Sequence, residues 1–412
     1  MAARTLHHGR RRSVVSGAVG LLLVGIAAVP AHAESIRDKQ WHLSAMQAEK
    51  MWRTSTGDGV TVAVIDTGVN ADLPDLRGRV LPGLDLAPNS AGDERTDPHG
   101  HGTYMALQIA GTGKGRVGHG SLGLAPGAKV LPIRVRDDGL NANQHLTRDN
   151  KELSRAIRYA ADHGAKVINI SIAMVKGLPQ LTSAVRYALD KGSLVFAGTG
   201  NEGASDPRYP ASTPGVVGVG AIGKNLRKTK ESQYGPQVDV AAPGDEITTV
   251  CANGKGTCEG HGTSAATALT SASAALIWSA HPTWTNNQVL RVLLNTIGAP
   301  TDGAKRNDSI GYGIVRPRVA LQNPGDPGPA DEYPLPDLKQ AAPPAPSRAA
   351  KPGDDRTSAA APPTTDDDSG DSNTTTWIVT GVGAAALIGG AAAALAVRKR
   401  RTEGHAHATG RP

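Results

Sequence analysis

Val60-Thr61-Val62-Ala63-Val64-Ile65-Asp66-Thr67-Gly68 is the stretch that decides the fold. Val60–Ile65 is an apolar run of strand length, and it ends on a carboxylate followed by turn-forming residues. Lys129–Val135, Lys166–Ile170 and Ser193–Ala197 are runs of the same kind. Helical patterns lie between them. Lys151–His163 places Leu153, Ile157 and Ala160/Ala161 on one face, and Leu181–Leu189 behaves similarly. Strands alternating with helices predict an α/β fold with a mainly parallel central sheet and helices on both faces. Such sheets carry their chemistry beyond the carboxyl ends of their strands, where Asp66 falls.

Two other glycine-rich segments supply groups that act together with a carboxylate. His99-Gly100-His101-Gly102-Thr103 offers an imidazole, and Gly262-Thr263-Ser264-Ala265-Ala266 a hydroxyl. A serine hydroxyl is a poor nucleophile until an imidazole takes its proton and a carboxylate orients that imidazole. Each residue alone has a plain reading: Asp66 as a turn former, His99 or His101 as a polar loop residue, Ser264 as a helix cap. The three motifs in the order Asp, His, Ser point to catalysis. From Ser264 an Ala-rich helical stretch runs to about Ala280, where His281-Pro282 stops it. A serine at a helix N-terminus faces unpaired N–H groups and the positive end of the helix dipole, which favour the anion of acyl transfer.

The motif text and its order resemble the subtilisin-like serine proteases, or subtilases, over most of residues 41–321. The resemblance implies a subtilisin-like fold in which Asp66 orients the imidazole, His101 is the general base and Ser264 the nucleophile. Thr199-Gly200-Asn201-Glu202-Gly203 looks like the family's oxyanion-hole loop, with Asn201 donating beside the backbone N–H of Ser264. Val167-Ile168-Asn169-Ile170-Ser171 resembles the strand that lines the substrate groove and pairs with an extended peptide. By the same resemblance Ser171, Ala173, Gly198 and Gly200 line the primary specificity pocket, while nearby Met174 reads equally as core filling. Tyr209-Pro210-Ala211 and Val240-Ala241-Ala242-Pro243-Gly244 match later landmarks. The implied reaction is peptide-bond hydrolysis through an acyl-enzyme. The nucleophile does not lie in the Gly-x-Ser-x-Gly elbow of an esterase.

The chain also departs from the family pattern. Tyr104-Met105-Ala106-Leu107 stands where many subtilases have a second histidine and Val-Ala-Gly, and Ala268 replaces a proline after the nucleophile. The loop Gly111–Gly120 lacks the Asn and Asp ligands of the family's calcium loop, so neither a metal nor any other cofactor is implied. About 30 residues separate residue 33 from Asp66, too few for a foldable inhibitory pro-domain.

The two ends carry the addressing. The formal charge is +7, but Arg4, Arg10, Arg11 and Arg12, with the basic surplus of residues 398–412, exceed that total. The body between them is near neutral, which argues against a nucleic-acid partner. Arg12, an apolar run from Val14 to Val29 and Ala31-His32-Ala33 form a secretory signal over residues 1–33, with an uncleaved anchor as the alternative. Arg11-Arg12 also resembles a twin-arginine signal. Residues 34–322 are expected to be the peptidase domain, and 323–376, rich in Pro, Asp and Thr, a disordered stalk. Trp377–Val397 is uncharged and long enough to cross a bilayer; the basic tail 398–412 stays cytoplasmic, giving a type I topology. Cys251 and Cys258, the only cysteines, are expected to form a disulfide just before Ser264; free thiols or a metal pair are the alternatives.

These ends, the loop without calcium ligands, the short segment before Asp66 and the opening Gln40-Trp41-His42-Leu43 resemble the mycosins, membrane-anchored subtilases associated with type VII secretion in actinobacteria. That resemblance implies an extracytoplasmic protease held in the cell membrane through residues 377–397, acting on exported proteins beside a secretion complex. The alternative is a structural component of the complex whose triad is weakly active or unused, its span docking through small residues such as Gly381 and Ala385.

Overall fold

The computed structural model describes residues 35–87, 91–115, 120–135 and 142–340. All of these fall in the first of two units, Met1–Ala345; the second, Pro346–Pro412, lies outside the described residues. So do the expected signal 1–33, the span 377–397 and the basic tail 398–412. Among the described residues no helix is long and apolar enough to cross a membrane.

The chain opens with three short helical turns, α1 (Ile36–Lys39), α2 (Trp41–Ala45) and α3 (Ala48–Met51). Then come β1 (Thr61–Asp66), β2 (Leu84–Asp85), α4 (His101–Ala110) and β3 (Lys129–Arg134). Helix α5 (Ala142–Asp162) leads into β4 (Val167–Ile170), and α6 (Pro179–Asp190) into β5 (Leu194–Gly198). Strands β6 (Val216–Ile222) and β7 (Val240–Pro243) precede a hairpin of β8 (Ile247–Val250) and β9 (Thr257–Gly260). The long α7 (Thr263–Ala280) follows, then α8 (Asn286–Asn295), α9 (Pro317–Gln322) and α10 (Asp337–Gln340).

Strands β1 to β7 form one sheet in the order β2-β3-β1-β4-β5-β6-β7, and every pair is parallel. The α/β architecture with a parallel sheet is therefore present as expected. Alternation along β1 shows how the sheet makes two cores. Val62 and Val64 join the cluster with α4 and α7, while Ala63 and Ile65 join the one with α5 and α6. The period of two in a strand sends successive side chains to opposite faces, so a run apolar at every position needs helices on both sides. Strand β5 repeats the split, with Leu194 and Phe196 facing one core and Val195 and Ala197 the other.

Helix α7 runs through the first core, and from Thr263 to Trp278 only Ser264 is not buried. Buried hydroxyls there would be costly unpaired. Thr267, Thr270 and Ser273 each donate to the carbonyl one turn back, at 2.7, 2.9 and 2.7 Å. Ser271 instead donates to Asn169 Oδ1 of β4 at 3.0 Å, fixing the helix against the sheet. Ala268, which replaces the family proline, is fully buried within this unbroken helix.

The N-terminal segment belongs to the body. Ile36, Leu43, Met46 and Met51 enter the α4/α7 core, and the Gln40 side chain bonds both N–H and C=O of Leu122. Burial holds the His42 imidazole neutral, its pKa down at about 3.

One expected boundary moves. Residues 323–340, read as the start of the stalk, pack onto α8 and the sheet. Arg291 donates to the carbonyls of Pro327, Pro329 and Glu332 at 2.8, 2.8 and 2.5 Å, and Leu335 is 1% exposed. The Pro-rich composition masked this, because the segment docks through its backbone carbonyls more than through apolar side chains. Leu335→Ala is expected to destabilise the protein by about 2–5 kcal/mol in chemical denaturation, as loss of a core leucine does.

Beneath this strap, Asp239 Oδ2 accepts the Gly218 N–H at 2.8 Å. Burial pushes the Asp239 carboxyl up to about 7, with Asp337 adding to the rise and Gly218 and Arg306 opposing it. The folded state then keeps a proton that the unfolded chain releases near its ordinary value of 3.8. Stability from this group is full below that value and is lost as pH climbs through about 7. Unfolding midpoints should therefore fall across that window, and Asp239→Asn, which keeps an acceptor for Gly218, should flatten the decline.

Candidate active site

Asp66 ends β1, an inner strand between β3 and β4, with 1% of its side chain exposed. Its Oδ1 accepts the Thr67 N–H at 2.8 Å, and His101 Nδ1 lies 2.8 and 3.0 Å from Oδ1 and Oδ2. His101 is the first residue of α4, after the N-cap Gly100. The helix comes this close because Gly102 has no side chain: a Cβ there would sit 2.1 Å from the Gly68 carbonyl oxygen. With Nδ1 facing a carboxylate, the imidazole carries its proton there and leaves Nε2 as the acceptor.

Ser264 is the second residue of α7, and the cap position belongs to Gly262. The plain reading of Ser264 as an N-cap therefore does not hold. Gly262 adopts φ +113°, and a Cβ there would press on the Asn201 amide at 2.9 Å. Asn201 Oδ1 accepts the Thr263 N–H at 2.8 Å and the Thr263 hydroxyl at 3.1 Å. That fixes the amide so that its NH2 is the end left for another partner. Ser264 Oγ donates to the Ser171 carbonyl at 3.5 Å, and Ser171 Oγ to the Ser264 carbonyl at 3.3 Å.

These residues converge. One cavity of about 520 Å³ is lined by Asp66, His101 and Ser264 together with Ser171, Ala173, Gly198, Gly200 and Asn201. Every catalytic and pocket position named from the sequence is thus on one wall or another of the same space. Val135, Asp149, Leu153 and Glu202 line it too and were not singled out. Leu153 was visible only as a core position of α5. Met174 is 7% exposed and packed in the α5/α6 core yet also reaches the cavity, so both of its readings apply. Its backbone pairs with Tyr209 through bonds of 2.7 and 2.8 Å.

Across His101 and Ser264 lies a second cavity of about 680 Å³, between the start of α4 and the β8–β9 hairpin. Cys251 and Cys258 are joined in a disulfide that closes this hairpin, as expected. Tyr104, the departure beside His101, forms part of the wall. Its hydroxyl donates to the Ile247 carbonyl at 2.5 Å, and its ring covers Gly260. Burial raises the Tyr104 hydroxyl above its ordinary value, so it stays a donor. The Gly-rich loop after α4 is held through Asp75, whose Oδ1 accepts N–H groups of Gly115 and Ser121 at 3.2 and 2.9 Å. Among the described residues no cluster of His, Cys, Asp and Glu is arranged to hold a metal.

Comparison with known proteins agrees with this geometry. The pattern of the subtilase family, peptidase S8, matches residues 57–313. Thermitase of Thermoactinomyces vulgaris is 35% identical over 209 residues, spanning 51% of this chain and 71% of thermitase. The crystal structure of MycP1 from Mycobacterium smegmatis superposes with a TM-score of 0.63 at 29% identity, covering 73% of this chain and 88% of that one. A chain in the periplasmic assembly from the ESX-5 inner membrane complex gives a TM-score of 0.65 at 27% identity, with 74% and 89% covered. With the family pattern spanning more than half its length and an Asp–His–Ser set gathered on one cavity, the chain belongs to the subtilase family of serine proteases.

Proposed function

We propose that this subtilase is a membrane-anchored, extracytoplasmic endopeptidase in which Asp66, His101 and Ser264 hydrolyse peptide bonds through an acyl-enzyme. The observation that carries the reading is the two-oxygen contact of buried Asp66 with His101 Nδ1, beside a serine in the first turn of α7. In the first step the Ser264 hydroxyl proton passes to His101 Nε2 as Oγ bonds the scissile carbonyl carbon. Asp66 stabilises the imidazolium that results. The carbonyl oxygen, now anionic, is met by the Asn201 side-chain N–H, from the loop after β5, and by the Ser264 backbone N–H in the first turn of α7. His101 then gives its proton to the leaving nitrogen as the C–N bond breaks. Water enters, loses a proton to His101 and attacks the acyl carbon; Oγ leaves and takes the proton back.

Ser171–Ala173 at the end of β4 suits an extended substrate laid along the cavity, with Gly198 and Gly200 opening room for a side chain. The route to the membrane rests on residues 377–397, which read as a single span after a stalk, with the catalytic domain outside. The likeness to MycP1 and to a chain of the ESX-5 periplasmic assembly supports work beside a type VII secretion complex, on exported protein substrates.

A fluorophosphonate should label the wild-type protein at Ser264 and leave Ser264→Ala unlabelled; a folded wild type that takes no label refutes the protease reading. Asn201→Ala should lower kcat on a cleaved peptide by roughly 10²–10³-fold with little change in KM. If Ser264→Ala still supports export of secreted substrates in cells, the chain's contribution there is structural.

A further inference from the structure

Asp97 occupies the short loop before α4, and its carboxylate accepts five hydrogen bonds. Its Oδ1 accepts the Thr67 hydroxyl at 2.8 Å and the backbone N–H groups of His99 and Gly100 at 3.2 and 2.8 Å. Its Oδ2 accepts both the N–H and the hydroxyl of Thr103, at 2.8 and 2.7 Å. The donors come from two elements. Thr67 directly follows Asp66, Gly100 is the N-cap of α4 and Thr103 lies in its first turn.

Thr67 closes the circuit. Its N–H donates to Asp66 Oδ1 at 2.8 Å, and its Oγ1 accepts the Gly102 N–H at 3.0 Å. Both chain neighbours of His101, Gly100 and Gly102, are thereby tied to the Asp97–Thr67 pair. The N-cap of α4 is a glycine with no side chain to offer, so the first-turn N–H groups need an acceptor from elsewhere. Asp97 supplies it, and its negative charge suits the positive end of the helix. The Thr103 hydroxyl passes the chain of bonds on by accepting the Asn70 N–H at 2.9 Å.

We propose that Asp97 is a positioning residue for the hydrolysis: its carboxylate clamps the end of β1 to the start of α4 and so fixes His101 against Asp66. The proposal rests on the protease reading above. A carboxylate is needed because an amide presents one acceptor oxygen and turns an NH2 group toward N–H donors. Asp97 also borders the second cavity, but both of its oxygens are already engaged within the protein.

The test is Asp97→Asn in the full chain, with kcat expressed per active site titrated by fluorophosphonate. Positioning requires kcat to fall roughly 10–100-fold with KM within about twofold, as small displacements of catalytic groups do. Unchanged kcat overturns the proposal. A raised KM at unchanged kcat also overturns it, because Asp97 would then bind substrate. Thr67→Val removes one link of the clamp and should give a smaller fall in kcat, which keeps the test decisive if Asp97→Asn does not fold. The low-field proton resonance of His101 Nδ1–H should broaden or shift in either variant. That signal needs no turnover, so it tests the clamp even if the wild type hydrolyses no peptide.

Discussion

A carboxylate with 1% of its side chain exposed cannot stand alone, and Asp66 sets the terms for everything around it. Its charge is met by the Thr67 N–H and by His101 Nδ1. For His101 to arrive, α4 must begin within contact of the end of β1. That demands glycine at position 102, where any Cβ would collide with the Gly68 carbonyl. The sheet order supplies the rest. With β3 on one side and β4 on the other, β1 sits where the strand order turns back, and the crevice at that point is open to a ligand.

Ser264 reaches the same crevice by a different device. Helix α7 passes through the core, so its residues must be small enough for the sheet, α4 and α8 to close around it. Alanine, serine and threonine fill that role, and the hydroxyls bond back to the helix's own carbonyls without leaving unpaired polar atoms. The composition fits this plan. Only 3% of residues are aromatic, and the one phenylalanine, Phe196, is buried in β5 on the α7 side of the sheet. Packing here comes from close backbone approach and many branched aliphatic residues, not from a few large rings. Asn169 is the one polar side chain of β4 on that side, and Ser271 of α7 meets it.

Much of this was legible in the sequence because the signals were local. Val62–Ile65 is apolar at every position, as a doubly covered strand requires, and the structure places β1 there. The Asp66–His101–Ser264 set stood out because three glycine-rich motifs occur together in one order, and the structure brings all three residues to one cavity. What was hidden depended on distant partners. Strand β6 carries two glycines, Gly218 and Gly220, and so reads poorly as a strand, yet it is fully buried between β5 and β7. The strap 323–340 reads as linker because its docking uses carbonyl oxygens, which every residue has. Asp97 is illegible in the sequence for a similar reason. An acid near a helix start is an ordinary capping signal, and only the folded arrangement shows that its donors come from both sides of His101.

The departures from the family pattern take on meaning through where each side chain points. Tyr104 lies one helical turn past His101, so it shares the face that borders the second cavity. There it bonds Ile247 and lies over Gly260, joining α4 to a hairpin already closed by Cys251 and Cys258. A histidine at this place could not reach as far with a donor on the end of its ring. Ala268 and Leu107 are fully buried within α7 and α4, on the core side and away from the cavity. None of these residues contacts the Asp66 carboxylate. The changes therefore fall on the wall of the second cavity and on helix packing. Asp66, His101 and Ser264 hold their places because Asp66, Thr67 and Thr263 are bonded independently of those positions.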